Sequence, residues 1–195
     1  MKALEEKILK DGSVLPGNIL KVGSFLNHRL DVEFILEIGK EIADIFKNDG
    51  ITKILTIETS GIAIAVCAAV AMHVPVVFAK KNKTGNLGAD VYKTTVHSYT
   101  HGRDYDIVVD REYLEENDRI LIVDDFLANG NALLGLIDIV KQSGAEFVGT
   151  CCAIEKGFQH GGDNLREMGI RVESLVIVDE MDENRIVFRQ NKRCM

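Results

Sequence analysis

Two hydrophobic periods run along the chain, and they place its elements. Leu4 and Ile8 share one face of a short helix over residues 3–10, which Asp11-Gly12 ends. Residues 13–30 are mixed, with Val14, Leu15, Ile19, Leu20 and Val22 set between turn residues. Asp31 caps a second helix in which Ile35, Ile38, Ile42 and Ile45 recur at helical spacing, and Asn48-Asp49-Gly50 stops it. From there short apolar runs alternate with helical patterns. Residues 53–57 predict a strand, 58–61 a turn, 62–73 an alanine-rich helix and 75–79 another strand. Residues 80–104 are polar, contain Gly85 and Gly88, and read as a long loop with room for a strand pair around 91–98. Strands follow at 105–109 and 119–123, a helix at 131–142, a strand at 147–154, a short helix near 163–168 and a strand at 172–178. Residues 185–188 are placed to pair back across Asp182-Glu183-Asn184.

Strands that alternate with helices and are themselves nearly continuous in Val, Ile and Leu imply an α/β fold. Its central sheet is mainly parallel and covered by helices on both faces. The length of 195 residues, without repeats or Pro/Ser linkers, fits a single domain over 1–195. Ligands of such sheets bind at the carboxyl ends of the strands. The segments in that position are Glu58–Gly61, Lys80–Lys81, Asp124–Ala132 and Glu155–Lys156.

Composition narrows the classes of function. With 46% hydrophobic and 27% charged residues the chain is globular. Its longest apolar stretch, Ile62 to Met72, falls short of the roughly 18 residues a membrane helix needs. The N-terminus is acidic and amphipathic, unlike a signal peptide. A net charge of −7 argues against a nucleic-acid partner, yet leaves open a small anionic substrate held by local dipoles and a few lysines. Cys67, Cys151, Cys152 and Cys194 form no C-x-x-C pair, so a reducing cytoplasm is expected rather than a disulfide framework. His97 and His101 are four apart, but their surroundings favour strand or loop, so no protein-built metal site is expected.

The chemistry is concentrated in Ile120-Leu121-Ile122-Val123-Asp124-Asp125-Phe126-Leu127-Ala128-Asn129-Gly130-Asn131-Ala132. A buried strand delivers two consecutive carboxylates, and a loop of small residues then opens a helix. Such a loop lets backbone N–H groups and the positive helix end converge on an anion. Two acceptor-only carboxylates suit a vicinal diol, which offers two O–H donors. A ribose 5-phosphate carries both groups on one ring. Magnesium on the carboxylates, a solvated acidic loop and the acid pocket of a phospho-receiver are competing readings. A Walker A loop is absent.

Residues 120–132 resemble the phosphoribosyl diphosphate (PRPP) motif of type I phosphoribosyltransferases. The Asp-Asp-Phe-Leu-Ala-Asn-Gly-Asn-Ala variant is similar to the branch of that family that acts on xanthine. Val22–His28, Ile57–Ile62 and Arg171–Leu175 extend the resemblance over nearly the whole chain. It implies the type I phosphoribosyltransferase fold, with an N-terminal hood over about 1–30 and a flexible loop over about 80–104. It further implies that Asp124 and Asp125 hold the ribose hydroxyls, that Ala128, Asn129, Gly130, Asn131 and Ala132 hold the 5-phosphate, and that Glu58, Thr59, Ser60 and Gly61 face the diphosphate. Lys81 belongs to the family's basic pair, which in dimeric members reaches the neighbouring subunit's site; Lys80 stands where Arg is commoner and lacks its planar fork. Leu20, Asn27 and Lys156 would line the base, and Phe126 could stack on it. Asn27 is equally suited to a turn before Asp31, and Lys156 to the surface.

The resemblance thus implies purine salvage: transfer of the phosphoribosyl group from PRPP to xanthine, giving xanthosine 5′-monophosphate and diphosphate. Magnesium would be bound mainly through PRPP, and the enzyme would be a cytoplasmic homodimer with no nucleic-acid or membrane partner. Two alternatives stand beside it. A PRPP-sensing regulator would carry an added DNA-binding domain and a basic surface, and only about 50 residues precede the first core strand here. Adenine or orotate transfer would share the core motif and differ in the hood.

Overall fold

The computed structural model describes residues 1–82, 90–98 and 103–190. Its helices are α1 (Lys2–Asp11), α2 (Val32–Ile45), α3 (Gly61–Met72), α4 (Asn131–Ser143) and α5 (Gly161–Glu167). A small hairpin of β1 (Ser13–Leu15) and β2 (Ile19–Lys21) precedes the main sheet. That sheet is built from β3 (Lys53–Ile57), β4 (Val76–Asn82), β5 (Val91–Ser98), β6 (Arg103–Asp110), β7 (Arg119–Leu127), β8 (Glu146–Lys156), β9 (Val172–Asp182) and β10 (Arg185–Phe188). Its order is β10-β9-β8-β7-β3-β4-β6-β5. The five strands from β9 to β4 are mutually parallel, and β10, β6 and β5 add antiparallel edges.

The parallel centre is apolar because both its faces are covered. Ile120 to Val123 of β7 are fully buried, and alternate residues feed two cores. Leu121 and Val123 join Ile54, Ala65 and Ile38 on the side of α2 and α3. Ile120 and Ile122 join Leu55, Leu136 and Val140 on the side of α4. Asp31 caps α2, its carboxylate accepting the Phe34 N–H at 3.4 Å, and Ile35, Ile38 and Ile42 form the buried stripe.

Three expectations need correction. Residues 80–104, read as a long loop with room for a strand pair around 91–98, do carry that strand, but they are strand wherever the structure describes them, apart from Asp90. Lys80–Asn82 end β4, and 91–98 pair antiparallel with 103–110. Tyr92 and Val96 alternate inward while the intervening positions carry polar side chains, so the edge hairpin looks like loop composition. Residues 83–89 and 99–102 of that stretch lie outside the described residues, as does Cys194. Second, Asp124, Asp125 and Lys156 lie inside the last turns of pairing of β7 and β8 rather than after them, because ladder bonding continues past the apolar run. Third, the mixed segment 13–30 holds the β1–β2 hairpin and a π-helical turn over Gly23–Asn27 that buries Phe25 and Leu26.

Candidate active site

The sheet reverses its winding between β3 and β7. From β3 the chain crosses through α3 to β4 on one side; from β7 it crosses through α4 to β8 on the other. Crossovers that diverge from two adjacent strands leave a crevice at their carboxyl ends, which is where open α/β sheets bind ligands. Glu58–Gly61 leaves β3 and Asp124–Gly130 leaves β7, so both motif segments meet there.

Asp124 and Asp125 are 7% and 9% exposed, which is unusual for adjacent carboxyls. The Asp125 N–H donates to Asp124 Oδ1 at 2.9 Å. Burial first, and the Asp125 carboxylate second, push the Asp124 carboxyl well above the usual range, while Lys81 pulls it the other way. Gly61, the first residue of α3, is packed against this carboxyl. A Cβ there would lie 2.6 Å from Asp124 Oδ1 and 2.4 Å from Thr56 Oγ1, so only glycine permits the approach. Thr56 Oγ1 is itself buried and has no hydrogen-bond partner among the described residues.

Lys81 ends β4 with its ammonium 5.7 Å from the centre of the Tyr105 ring, and its N–H donates to Glu58 Oε1 at 2.6 Å. The Tyr105 hydroxyl is raised by burial and by Asp124, which places it within reach of the same charge. Glu58 therefore bonds the backbone of β4 and braces the turn, while Thr59 and Ser60 line a cleft of about 540 Å³ with Asn27, His28 and Ile62. Lys80, one residue before Lys81 on the strand, points to the opposite face.

The turn after β7 is held open by Gly130, at φ +86°, a conformation that disfavours any side chain. Asn129 Oδ1 accepts the Asn131 N–H at 3.1 Å and caps α4, leaving the other early amides of that helix without helical partners. Gly161, at the start of α5, supports the loop from behind: a Cβ there would lie 2.1 Å from the Ala128 carbonyl oxygen.

At the far end of Asp125 stands the hood. The Asn27 amide donates to Asp125 Oδ2 at 3.2 Å across 98 residues of sequence. The Lys156 ammonium lies 5.7 Å from the centre of the Phe126 ring, and burial lowers the lysine below its ordinary value. Leu20 and Phe126 belong to one apolar cluster with Phe158. The structure thus brings the acid pair, the small-residue loop, the turn after β3 and Asn27 to one crevice. Thr56, Tyr105 and Gly161 were missed by sequence reasoning: Tyr105 and Gly161 are defined by contacts to Lys81 and Ala128 in distant segments, and Thr56 by the turn that folds Gly61 back over it.

Residues 30–164 match the model of the phosphoribosyl transferase domain. The chain is 54% identical over 194 residues to a xanthine phosphoribosyltransferase of Lachnoclostridium phytofermentans, covering 98% of this chain and 100% of that one. It is 53% identical over 192 residues to one of Alkaliphilus metalliredigens, covering 98% and 95%. Among solved structures, the adenine phosphoribosyl transferase of Trypanosoma brucei in complex with AMP, pyrophosphate and ribose-5-phosphate superposes with a TM-score of 0.73 at 21% identity, covering 89% of this chain and 79% of that one. At that identity the likeness establishes the fold alone.

Proposed function

We propose, from the premise that this chain belongs to the phosphoribosyltransferase family, that it transfers the 5-phosphoribosyl group of PRPP to xanthine. The products are xanthosine 5′-monophosphate and diphosphate, and the role is purine salvage. The observation that carries the reading is the single crevice in which the buried Asp124–Asp125 pair faces both the Gly130 loop and, through Asn27, the hood. A diol on the acid pair would point its 5-phosphate at the start of α4 and its C1 toward the turn after β3.

In the reaction a ring nitrogen of the base bonds to C1 as the C1–oxygen bond to diphosphate breaks, and the base nitrogen gives up its proton. The transition state resembles an oxocarbenium ion, so the protein's task is to hold the ribose and to stabilise the departing diphosphate. Backbone amides of Thr59–Gly61 and the Lys81 ammonium are assigned the diphosphate end. Glu58 is assigned to the same end, and its Oε1 also braces the turn by accepting the Lys81 N–H. Magnesium fits as an ion carried on PRPP. Among the described residues no three His, Cys, Asp or Glu side chains stand together as a cage, while Asp124 and Asp125 offer carboxylate oxygens beside the place of the diol. When bound, a hard cation that keeps most of its water would offset diphosphate charge.

The base is assigned to Leu20, Asn27, Phe126 and Lys156. Xanthine differs from hypoxanthine by an oxo group at C2, and a selective site needs donors there. Lys156→Ala and Asn27→Ala are expected to raise KM for xanthine about 10-fold or more, with a smaller rise for hypoxanthine and little change for PRPP. Equal losses for the two bases would make both residues scaffold. The reading as a whole is tested by coupled assay of PRPP with each free base, following diphosphate release; a preference for adenine would overturn it.

The chain is assigned one domain, residues 1–195, with residues 1–30 covering the base end. A homodimer is assigned to the apolar face of Val32, Leu36, Val66, Val70 and Phe78, all 37% exposed or more. No helix among the described residues is long and apolar enough to cross a membrane, and the absence of a disulfide among the described cysteines Cys67, Cys151 and Cys152 suits the cytoplasm. If Lys81 acts across the dimer interface, mixing Lys81→Ala and Asp125→Asn subunits is expected to restore activity at one site of each mixed dimer. No recovery after verified subunit exchange would place each site within one chain.

A further inference from the structure

A chain of ion pairs lies on the opposite face of β8 from the base site and brackets Lys156. On one side of that lysine, Glu155 is completely buried. Arg166 donates to both its oxygens, at 3.0 and 2.6 Å, and Ser174 donates a further hydrogen bond to it. On the other side, Gly157 is packed so closely that a Cβ would lie 2.4 Å from Asp179 Oδ1 and 3.1 Å from Arg189 Nη2. Asp163 joins the two halves. Its Oδ1 accepts from Arg166 Nη1 at 3.2 Å, and its two oxygens accept from Arg189 Nη1 and Nη2 at 2.7 and 3.0 Å. Arg189 also donates through Nε to Asp179 at 2.9 Å, and its N–H bonds the Ile177 carbonyl at 2.8 Å.

We infer that Arg189 is a positioning residue for the base site: through Asp179 and Asp163 it fixes the backbone on the C-terminal side of Lys156, and so sets where the Lys156 ammonium meets the purine. The inference rests on the assignment of Lys156 to the base. Side chains alternate along a strand, so Glu155 faces the ion pairs while Lys156, the last residue of β8, faces Phe126; Gly157, which opens the 3-10 turn that follows, is packed against Asp179 and Arg189. A backbone fixed on one flank by the Glu155–Arg166 bonds, and confined on the other by the close packing of Gly157 against the Asp179–Arg189 pair, leaves the intervening side chain one direction to point. The arginine fork suits this task because it engages two carboxylates at once, Asp163 bidentately and Asp179 through Nε. The network touches the PRPP half of the crevice at α5, whose Gly161 backs the Ala128 loop, and at the Leu127–Glu155 ladder pair, while Arg189 lies beyond both beside Gly157, so the effect of changing Arg189 should fall more on the base than on PRPP.

The test is steady-state kinetics on the full chain for the parent, Arg189→Met, Arg189→Lys and Asp179→Asn, with melting midpoints measured alongside. Arg189→Met is expected to raise KM for xanthine about 10-fold while KM for PRPP stays within about twofold, and Arg189→Lys to recover part of the loss. Asp179→Asn removes one anchor at nearly constant volume. It is expected to shift KM for xanthine in the same direction, which keeps the inference open to refutation if Arg189→Met does not fold. Folded variants with unchanged KM for xanthine, or with both KM values rising together, would overturn it. A parent enzyme that leaves xanthine unused overturns the functional reading instead, and that outcome is read from the parent alone.

Discussion

Asp124→Asn is expected to lower kcat/KM for PRPP by about 100-fold or more, the scale of removing one preorganised site group, while raising the melting midpoint of the ligand-free protein. The loss follows from the role: an amide in place of a carboxyl exchanges one acceptor for a donor against a ribose hydroxyl. The gain follows from burial. Desolvation and the adjacent Asp125 raise the Asp124 carboxyl well above the ordinary carboxylate range in the folded chain. An acid with a raised folded pKa holds more protons folded than unfolded between the two values. Its contribution to stability is therefore present below the unfolded value, declines as pH rises toward the folded one, and stays lost above it. Asparagine has no such dependence and still offers an oxygen to the Asp125 N–H. The difference in midpoint should vanish at pH below that ordinary range and widen as pH rises. A midpoint at pH 8 equal to or below that of the parent would contradict a destabilised carboxyl.

On the proposed role, such a cost is what a binding site for a diol requires: buried acceptors held ready for the substrate's hydroxyls. It also explains why the acid pair was legible in the sequence. Nothing in a buried strand favours two consecutive carboxyls, so Asp124-Asp125 at the end of Ile120–Val123 stands out against its own surroundings. The parallel strands were legible for the complementary reason, since burial on both faces leaves continuous apolar runs such as Ile120–Val123. The β5–β6 edge was legible only in part: a strand pair around 91–98 and a strand at 105–109 were expected, but Tyr92 and Val96 alternate with Lys93, Thr95 and His97, a composition shared with loops, so the full hairpin did not stand out. Contacts between distant segments left no trace at all. Asn27 resembles a turn residue until it is seen donating to Asp125, and Arg189 resembles a surface arginine until Asp163 and Asp179 are seen around it.

Gly61→Ala is expected to reduce kcat/KM by about 100-fold, the consequence of displacing a reacting-site group by roughly 1 Å. Glycine at this position is set by proximity. The added methyl would sit 2.4 Å from Thr56 Oγ1 and 2.6 Å from Asp124 Oδ1. Neither neighbour can withdraw into solvent, because Thr56 is completely buried and Asp124 nearly so. Either the Asp124 carboxyl turns away from the crevice or α3 backs off from β7 and takes the Thr59–Gly61 turn with it. Both movements spoil the site, one at the ribose and one at the diphosphate. Removing the hydroxyl relieves one of the two collisions, so Thr56→Ala in the Gly61→Ala background should restore part of the activity, whereas Thr56→Ala alone should change it little. Kinetics of the two single variants and the double variant form a cycle whose coupling reads this contact directly. Full activity in Gly61→Ala, or strict additivity in the cycle, would mean that α3 does not press on the acid pair as the structure has it.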